Sequence, residues 1–138
     1  MALFEWDTSY ELDIPQIDNQ HKELVRMIND LYDSIKAGQA PETVNLILSQ
    51  LLKYVEIHFD TEELAMQEMG YPDFQEHLVL HEDLRHKVFD LKRDQLQGRE
   101  IATFELLYFL TGWLKEHIAH EDKLFGKFIH KMKRSNLA

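Results

Sequence analysis

The sequence predicts an all-α protein, an up-down antiparallel four-helix bundle with an extended N-terminal arm. Three observations carry that expectation. Apolar residues recur at helical spacing over four separate stretches. One stretch steps by four and three throughout, through Val44, Leu48, Leu51, Val55, His58, Glu62, Ala65 and Met69, which is the pattern of bundle packing. Glycine and proline punctuate the chain between stretches, no segment alternates like a strand, and short connections between long helices favour antiparallel neighbours.

Residues 1–17 have no helical period and are expected to form the arm, ending near Pro15. Asp18 can cap a first helix over about residues 19–37, whose buried stripe is His21, Leu24, Val25, Ile28, Leu31, Tyr32 and Ile35. Gly38 ends it, and Pro41 suits the first turn of a second helix over about 42–69. Gly70 and Pro72 break the chain again. A third helix over about 73–97 turns Phe74, His77, His81, Leu84, Val88 and Leu91 inward, and Gly98 stops it. The fourth, over about 101–130, carries Leu107, Leu110, Leu114, His117 and Phe125.

A chain of 138 residues is one domain, large enough for a real core. It contains no cysteine, so disulfides and thiolate sites are excluded. The net charge of −10 argues against a nucleic-acid partner, because nothing here collects phosphates. No run is apolar enough to span a membrane, and residues 1–7 lack the basic region and apolar stretch of a secretory signal. A cytoplasmic monomer is the expectation.

The informative feature is where polar residues sit. His58 and Glu62 continue the apolar seam of the second helix, and His77 and His81 do the same on the third. A buried polar group without a partner costs roughly 1–3 kcal/mol, and a charge costs more. With His21, His117 and Asp122 on the other two helices, the set is five imidazoles and two carboxylates, a donor mixture suited to iron or zinc. A lone core histidine is more often a hydrogen-bonded structural residue than a ligand. Seven such groups on four helices, at matching ends, are better explained by a pair of metal ions. His86, His120 and His130 fall on other faces and are read as non-ligands; Glu63, Glu116 and Glu121 are read as solvated, and the methionines as core filler.

Two roughly octahedral irons offer twelve coordination positions. Five imidazoles, two bridging carboxylates and a bridging oxide or hydroxide leave one open, on whichever ion carries fewer histidines. Such a site takes a small molecule. Carboxylate-rich di-iron oxidases use Glu-x-x-His on two helices, and that motif is absent from this chain. His117 and Asp122, five residues apart, would point roughly 140° apart on a regular helix. The favoured solution is that the pair straddles the inward face. A π-bulge near Ala119 to Glu121 is the lesser alternative.

These residues resemble the hemerythrins, most closely the single-domain bacterial ones called bacteriohemerythrins. The likeness runs over nearly the whole chain: Trp6 in the arm, Asp18-Asn19-Gln20-His21, His58-Phe59-Asp60-Thr61-Glu62-Glu63, His77-x-x-x-His81, and Trp113-Leu114-x-x-His117-Ile118-x-x-x-Asp122. The resemblance implies reversible dioxygen binding at a non-haem di-iron centre, without enzymatic turnover. It implies that His77, His81 and His117 hold one iron, that His21 and His58 hold the dioxygen-binding iron, and that Glu62 and Asp122 bridge. It further implies an apolar oxygen pocket of Leu24, Phe59, Trp113, Leu114 and Ile118. The bundle accounts for all 138 residues, which favours a carrier or store over a receptor. The competing expectations are a di-iron oxidase, peroxidase or nitric-oxide-handling enzyme on the same site, and an iron-storing or iron-sensing bundle.

Overall fold

In the computed structural model, which describes residues 2–97 and 102–137, four helical rods run one after another. They are α1 (Pro15–Lys36), α2 (Pro41–Met69), α3 (Phe74–Leu96) and a fourth rod of α4 (Ala102–Glu116), a π-helical segment (His117–Asp122) and α5 (Lys123–Leu137). No strand occurs among the described residues. The expected stop at Gly98 and the expected helix start at 101 lie outside the described residues. The fourth rod continues to Leu137, past the expected end at 130. No helix among the described residues is long and apolar enough to cross a membrane.

The first helix begins earlier than the expected Asp18 cap. Pro15 opens it, with Ile14 as the extended residue before it. Proline is tolerated there because its missing N–H would have had no helical partner. Asp18 is the fourth residue of α1, and its carboxylate reaches back to accept the backbone N–H groups of Leu12 (2.8 Å) and Ile14 (3.2 Å). It therefore fastens the arm to the helix rather than capping the helix. Replacing it with alanine (Asp18→Ala) removes two charge-assisted bonds in a buried setting. The expected loss is about 1.5–3 kcal/mol, read as a lower denaturant midpoint with an unchanged slope.

The arm is anchored at several further points. Phe4 is buried and exchanges two hydrogen bonds with the Asn29 side chain, at 3.0 and 2.8 Å. The Lys123 ammonium donates to the Ser9 and Glu11 carbonyls, and His130 Nε2 meets the Leu12 carbonyl at 2.6 Å. Leu12 lies directly on Gly126, where a Cβ would come within 3.1 Å of the leucine Cγ. That close approach is why α5 carries a glycine in mid-helix. Within the arm, Thr8–Tyr10 forms one 3-10 turn, capped by the Asp7 carboxylate.

Each predicted stripe has an observed counterpart. His21, Leu24, Val25, Ile28 and Leu31 are buried on α1, and Val44, Leu48, Leu51, Val55, His58 and Glu62 on α2. Beyond Glu62 the α2 seam changes phase: Met66 is fully buried, while Ala65 and Met69 are only half-buried. Gly70 closes α2 in the left-handed conformation (φ 65°), with the Tyr71 N–H returning to the Met66 carbonyl. The buried apolar side chains form two clusters. The larger is built from Leu24, Ile28, Leu48, Phe59, Leu84, Leu110, Leu114, Ile118 and their neighbours. The smaller contains Leu12, Ile17, Met66, Tyr71, Phe125 and Ile129.

Candidate metal centre

All seven polar side chains singled out by the sequence converge between the helices, and each is at most 3% exposed. Two overlapping groups have donor atoms within 4.8 Å of one another. One is Glu62, His77, His81 and His117; the other is His21, His58, Glu62 and Asp122. The division is visible at single oxygens. Glu62 Oε1 lies 3.3, 3.1 and 3.6 Å from the Nε2 atoms of His77, His81 and His117. Glu62 Oε2 instead faces His21 (3.5 Å) and His58 (3.1 Å). Asp122 repeats the pattern, with Oδ1 toward His77 (3.2 Å) and His117 (3.1 Å) and Oδ2 toward His21 (3.0 Å). Each carboxylate thus sends one oxygen to a three-imidazole side and the other to a two-imidazole side.

The helices deliver these groups by simple geometry. The four-residue spacings of His58 with Glu62 and of His77 with His81 place each pair one turn apart on one face. His117 and Asp122 are brought into line by the π segment that spans them. The straddling arrangement favoured from the sequence does not occur. A π turn closes an i,i+5 ring, so residues five apart fall on one face instead of roughly 140° apart. The phase shift turns Asp122, fully buried, onto the cluster, and leaves Glu121 only half-buried.

A test of fit comes from unsatisfied atoms. His21 Nε2, His58 Nε2, Glu62 Oε2 and both Asp122 oxygens are buried with no hydrogen-bond partner, although they sit within 3.0–3.5 Å of oppositely typed atoms of the cluster. Five imidazole nitrogens and two carboxylates are the donor set of a borderline divalent metal, and the residues fit a pair of such ions.

The electrostatics point the same way. Burial opposes charge on His21, but Asp122 and Glu62 outweigh it and hold the imidazole up to about 9. The same balance raises His77 to about 9 and His117 to about 10. Burial pushes both carboxylates upward, yet the surrounding imidazoles leave Glu62 well below the ordinary carboxylate range and Asp122 lowered as well. Without a metal cation, protons are what neutralise the two acids.

The next layer of partners holds residues that the sequence reading missed. His58 Nδ1 meets Gln20 Oε1 at 2.7 Å, and the Gln20 amide donates to Thr61 Oγ1 at 3.2 Å. His81 Nδ1 meets Glu63 Oε2 at 2.7 Å. Glu63 is therefore not the solvated acid expected from the sequence; it accepts from Arg85 Nη2 at 2.9 Å as well. Buried imidazoles that face a metal orient themselves through their second nitrogen. That rule was the signal available: a polar side chain one helical step from each histidine row, which Gln20 and Glu63 both satisfy.

The five residues expected to line an oxygen pocket sit near these imidazoles. Leu24, Phe59, Leu114 and Ile118 are buried in the larger apolar cluster, and Trp113 packs against it half-buried. Phe59 stacks face to face on His81 (centroids 3.8 Å apart, 4° between planes), and Trp113 stacks on His117 at 4.4 Å. The remaining histidines are elsewhere. His86 is exposed, His120 is exposed and paired with Glu116 at 3.5 Å, and His130 holds the arm. An apolar groove of about 410 Å³ opens between α2 and α3, and it borders the cluster only through Phe59.

Comparison with known proteins places this geometry in context. Residues 12–129 match the family model described as the hemerythrin HHE cation binding domain. A bacteriohemerythrin of Methylococcus capsulatus is 34% identical over 127 residues, covering 91% of this chain and 96% of the relative. One from Clostridium acetobutylicum is 32% identical, covering 88% of this chain and 97% of the relative. A crystal structure of wild-type hemerythrin superposes with a TM-score of 0.82 at 32% identity, covering 91% of this chain and 97% of that one.

Proposed function

Because this chain belongs to the hemerythrin HHE cation-binding domain family, we propose that it binds dioxygen reversibly at a pair of iron ions, as a carrier or store rather than an enzyme. His77, His81 and His117 would hold one ion, His21 and His58 the other, with Glu62 and Asp122 bridging and an oxide or hydroxide completing the bridge. The observation that carries this assignment is the split of each carboxylate, one oxygen toward three imidazoles and one toward two. Such a pair, when bound, supplies two electrons that dioxygen can accept and return.

The protein's own side chains set the conditions for reversal. Glu62 and Asp122 contribute two negative charges inside the bundle, and the neutral imidazoles contribute none. This donor balance disfavours strongly oxidised iron and so favours release over turnover. Leu24, Phe59, Leu114 and Ile118 surround the centre with buried apolar surface, Phe59 stacking directly on His81, and would keep out the water and protons that carry reduced oxygen away. The family assignment and the net charge of −10 also support a protein that binds no nucleic acid. A cytoplasmic monomer completes the proposal, and its mass in solution is checked by sedimentation.

The deciding experiment is an oxygen–vacuum cycle on the reduced, iron-loaded protein. A carrier gains an oxygen-dependent absorption band in air and loses it under vacuum over repeated cycles. One-way conversion to the diferric form would establish an oxidase instead, and absence of any oxygen-dependent band would leave a metal store.

Leu114 offers a sharper test of the apolar wall. It is 1% exposed, touches no hydrogen-bonding network, and lies one turn before His117. Shortening it (Leu114→Ala) opens a cavity, and Leu114→Tyr brings in a hydroxyl. Both are expected to speed autoxidation about tenfold while two irons stay bound, since about 1.4 kcal/mol of lost protection corresponds to that factor. An unchanged rate of band decay in air would remove Leu114 from the wall.

A further inference from the structure

The cluster's imidazoles are not served alike. Gln20 and Glu63 stand at the same 2.7 Å from the Nδ1 atoms of His58 and His81. One partner is a neutral amide and the other carries a carboxylate charge. His21 Nδ1 is buried with no hydrogen-bond partner at all. The carboxylate is itself held. Arg85 donates to Glu63 at 2.9 Å and to both Glu56 oxygens at 3.0 and 3.1 Å, and it also pairs with Glu82. The same guanidinium lies 5.3 Å from the centroid of Phe59, whose ring stacks on His81. Arg85 therefore fixes both groups that hold the His81 ring, one at its nitrogen and one on its face.

We propose that Glu63, clamped by Arg85, is a positioning residue that enriches His81 in electron density, while Gln20 orients His58 without charge, so that the two ions of the centre are made electronically unequal. This rests on the di-iron assignment above. A carboxylate accepting from the far nitrogen of an imidazole raises the basicity of the nitrogen that faces the metal. A more basic donor stabilises the higher oxidation state. An ion held by His77, His81 and His117 would then lose the first electron more easily than one held by His21 and His58, the mediator of a titration taking up that electron. Arg85 draws charge from Glu63 and moderates the effect, so the two residues act with opposite sign.

The test is a mediated redox titration of iron-loaded protein, with iron content measured on every variant. Glu63→Gln should raise the first midpoint potential. Arg85→Met and Gln20→Glu should each lower it, because one releases a carboxylate onto His81 and the other installs a carboxylate on His58. Asp60→Asn serves as a charge control, since Asp60 lies 3.9 Å from Arg85, is exposed and does not touch the cluster; it should shift the potential far less. A structural role alone would move all variants in one direction through loosened packing. A shift of one common sign across Glu63→Gln, Arg85→Met and Gln20→Glu, no shift in Glu63→Gln, or an equal shift in Asp60→Asn would each overturn the proposal. If Glu63→Gln fails to fold, Arg85→Met and Gln20→Glu must both fall while Asp60→Asn stays near the native potential; a fall in Asp60→Asn of the same size, or a rise in either of the other two, overturns the proposal. Failure of the native chain to take up an iron pair would sink the di-iron assignment and this proposal together, whereas two bound irons with the wrong pattern of shifts would sink this proposal alone.

Discussion

Glu62→Gln is expected to strip the protein of its metal ions, whereas the same exchange next door, Glu63→Gln, leaves them in place. Glu62 is the one residue common to both groups of donor atoms, with one oxygen within 3.1–3.6 Å of three imidazoles and the other within 3.1–3.5 Å of two. An amide keeps the shape but offers one oxygen in place of two, and it removes a charge. Its NH₂ group is a hydrogen-bond donor with no lone pair to give a metal, so one of the two oxygen positions is lost as a ligand. Loss of an outer hydrogen-bond partner typically weakens metal affinity about 10–100-fold, and loss of a shared donor should exceed that range. Iron content is expected to fall below one ion per chain, by colorimetric assay after gel filtration. Two ions retained by Glu62→Gln would remove that residue from the centre.

Chelation of the native protein should lower its melting temperature by about 10 °C or more. Ions held a thousandfold above their dissociation constant stabilise the folded state by about 4.1 kcal/mol, and in a domain of this size each kcal/mol is worth a few degrees. The gap should also depend on pH, with a sign that follows from the buried histidines. In the metal-free protein His21, His77 and His117 are raised from 6.5 to about 9, 9 and 10. Their contribution to stability is complete below pH 6.5 and disappears as pH rises through 9 to 10. Glu62 and Asp122 are lowered, so theirs is present at neutral pH and lost in acid. Metal binding follows the opposite trend, because protons compete for the same imidazoles. The difference in melting temperature between loaded and metal-free protein should therefore widen from pH 6.5 to 10. A constant gap across that window would mean the imidazoles titrate independently of the metal.

Much of the site was legible before any coordinates, because helical periodicity is strict. When His58 and Glu62 interrupt a seam of Val44, Leu48, Leu51 and Val55, no fold need be assumed to see that they point inward. What remained illegible depends on neighbours distant in sequence. The true role of Asp18 requires knowing that the arm folds back over the first turn of α1. Glu63 looks like any surface acid until α3 brings His81 and Arg85 against it. The π segment is the lesser of the two solutions that the spacing offers. Local spacing says only that His117 and Asp122 are out of phase, and it is the convergence of the other helices that decides how the mismatch is resolved. Met66 displaced Ala65 and Met69 from the seam for a related reason, since below Glu62 the partner of α2 is the arm with Tyr71 and Phe125 rather than the main core.

The two apolar clusters meet on the fourth rod at the π segment, Leu107 to Ile118 belonging to one and Phe125 and Ile129 to the other. Between them lies a layer of imidazole and carboxylate rather than hydrocarbon. The smaller cluster, with Leu12, Ile17, Met66, Tyr71, Phe125 and Ile129, buries far fewer apolar side chains than the larger. The polar layer is one of the connections between them, beside the helices and the arm that run through both. Ions bound there would strengthen the coupling of the two unequal half-domains into a single unfolding unit. With that coupling absent, the end built on Leu12, Ile17, Met66, Tyr71, Phe125 and Ile129 would open first, while the larger core, which also holds Phe4 of the arm, stays closed.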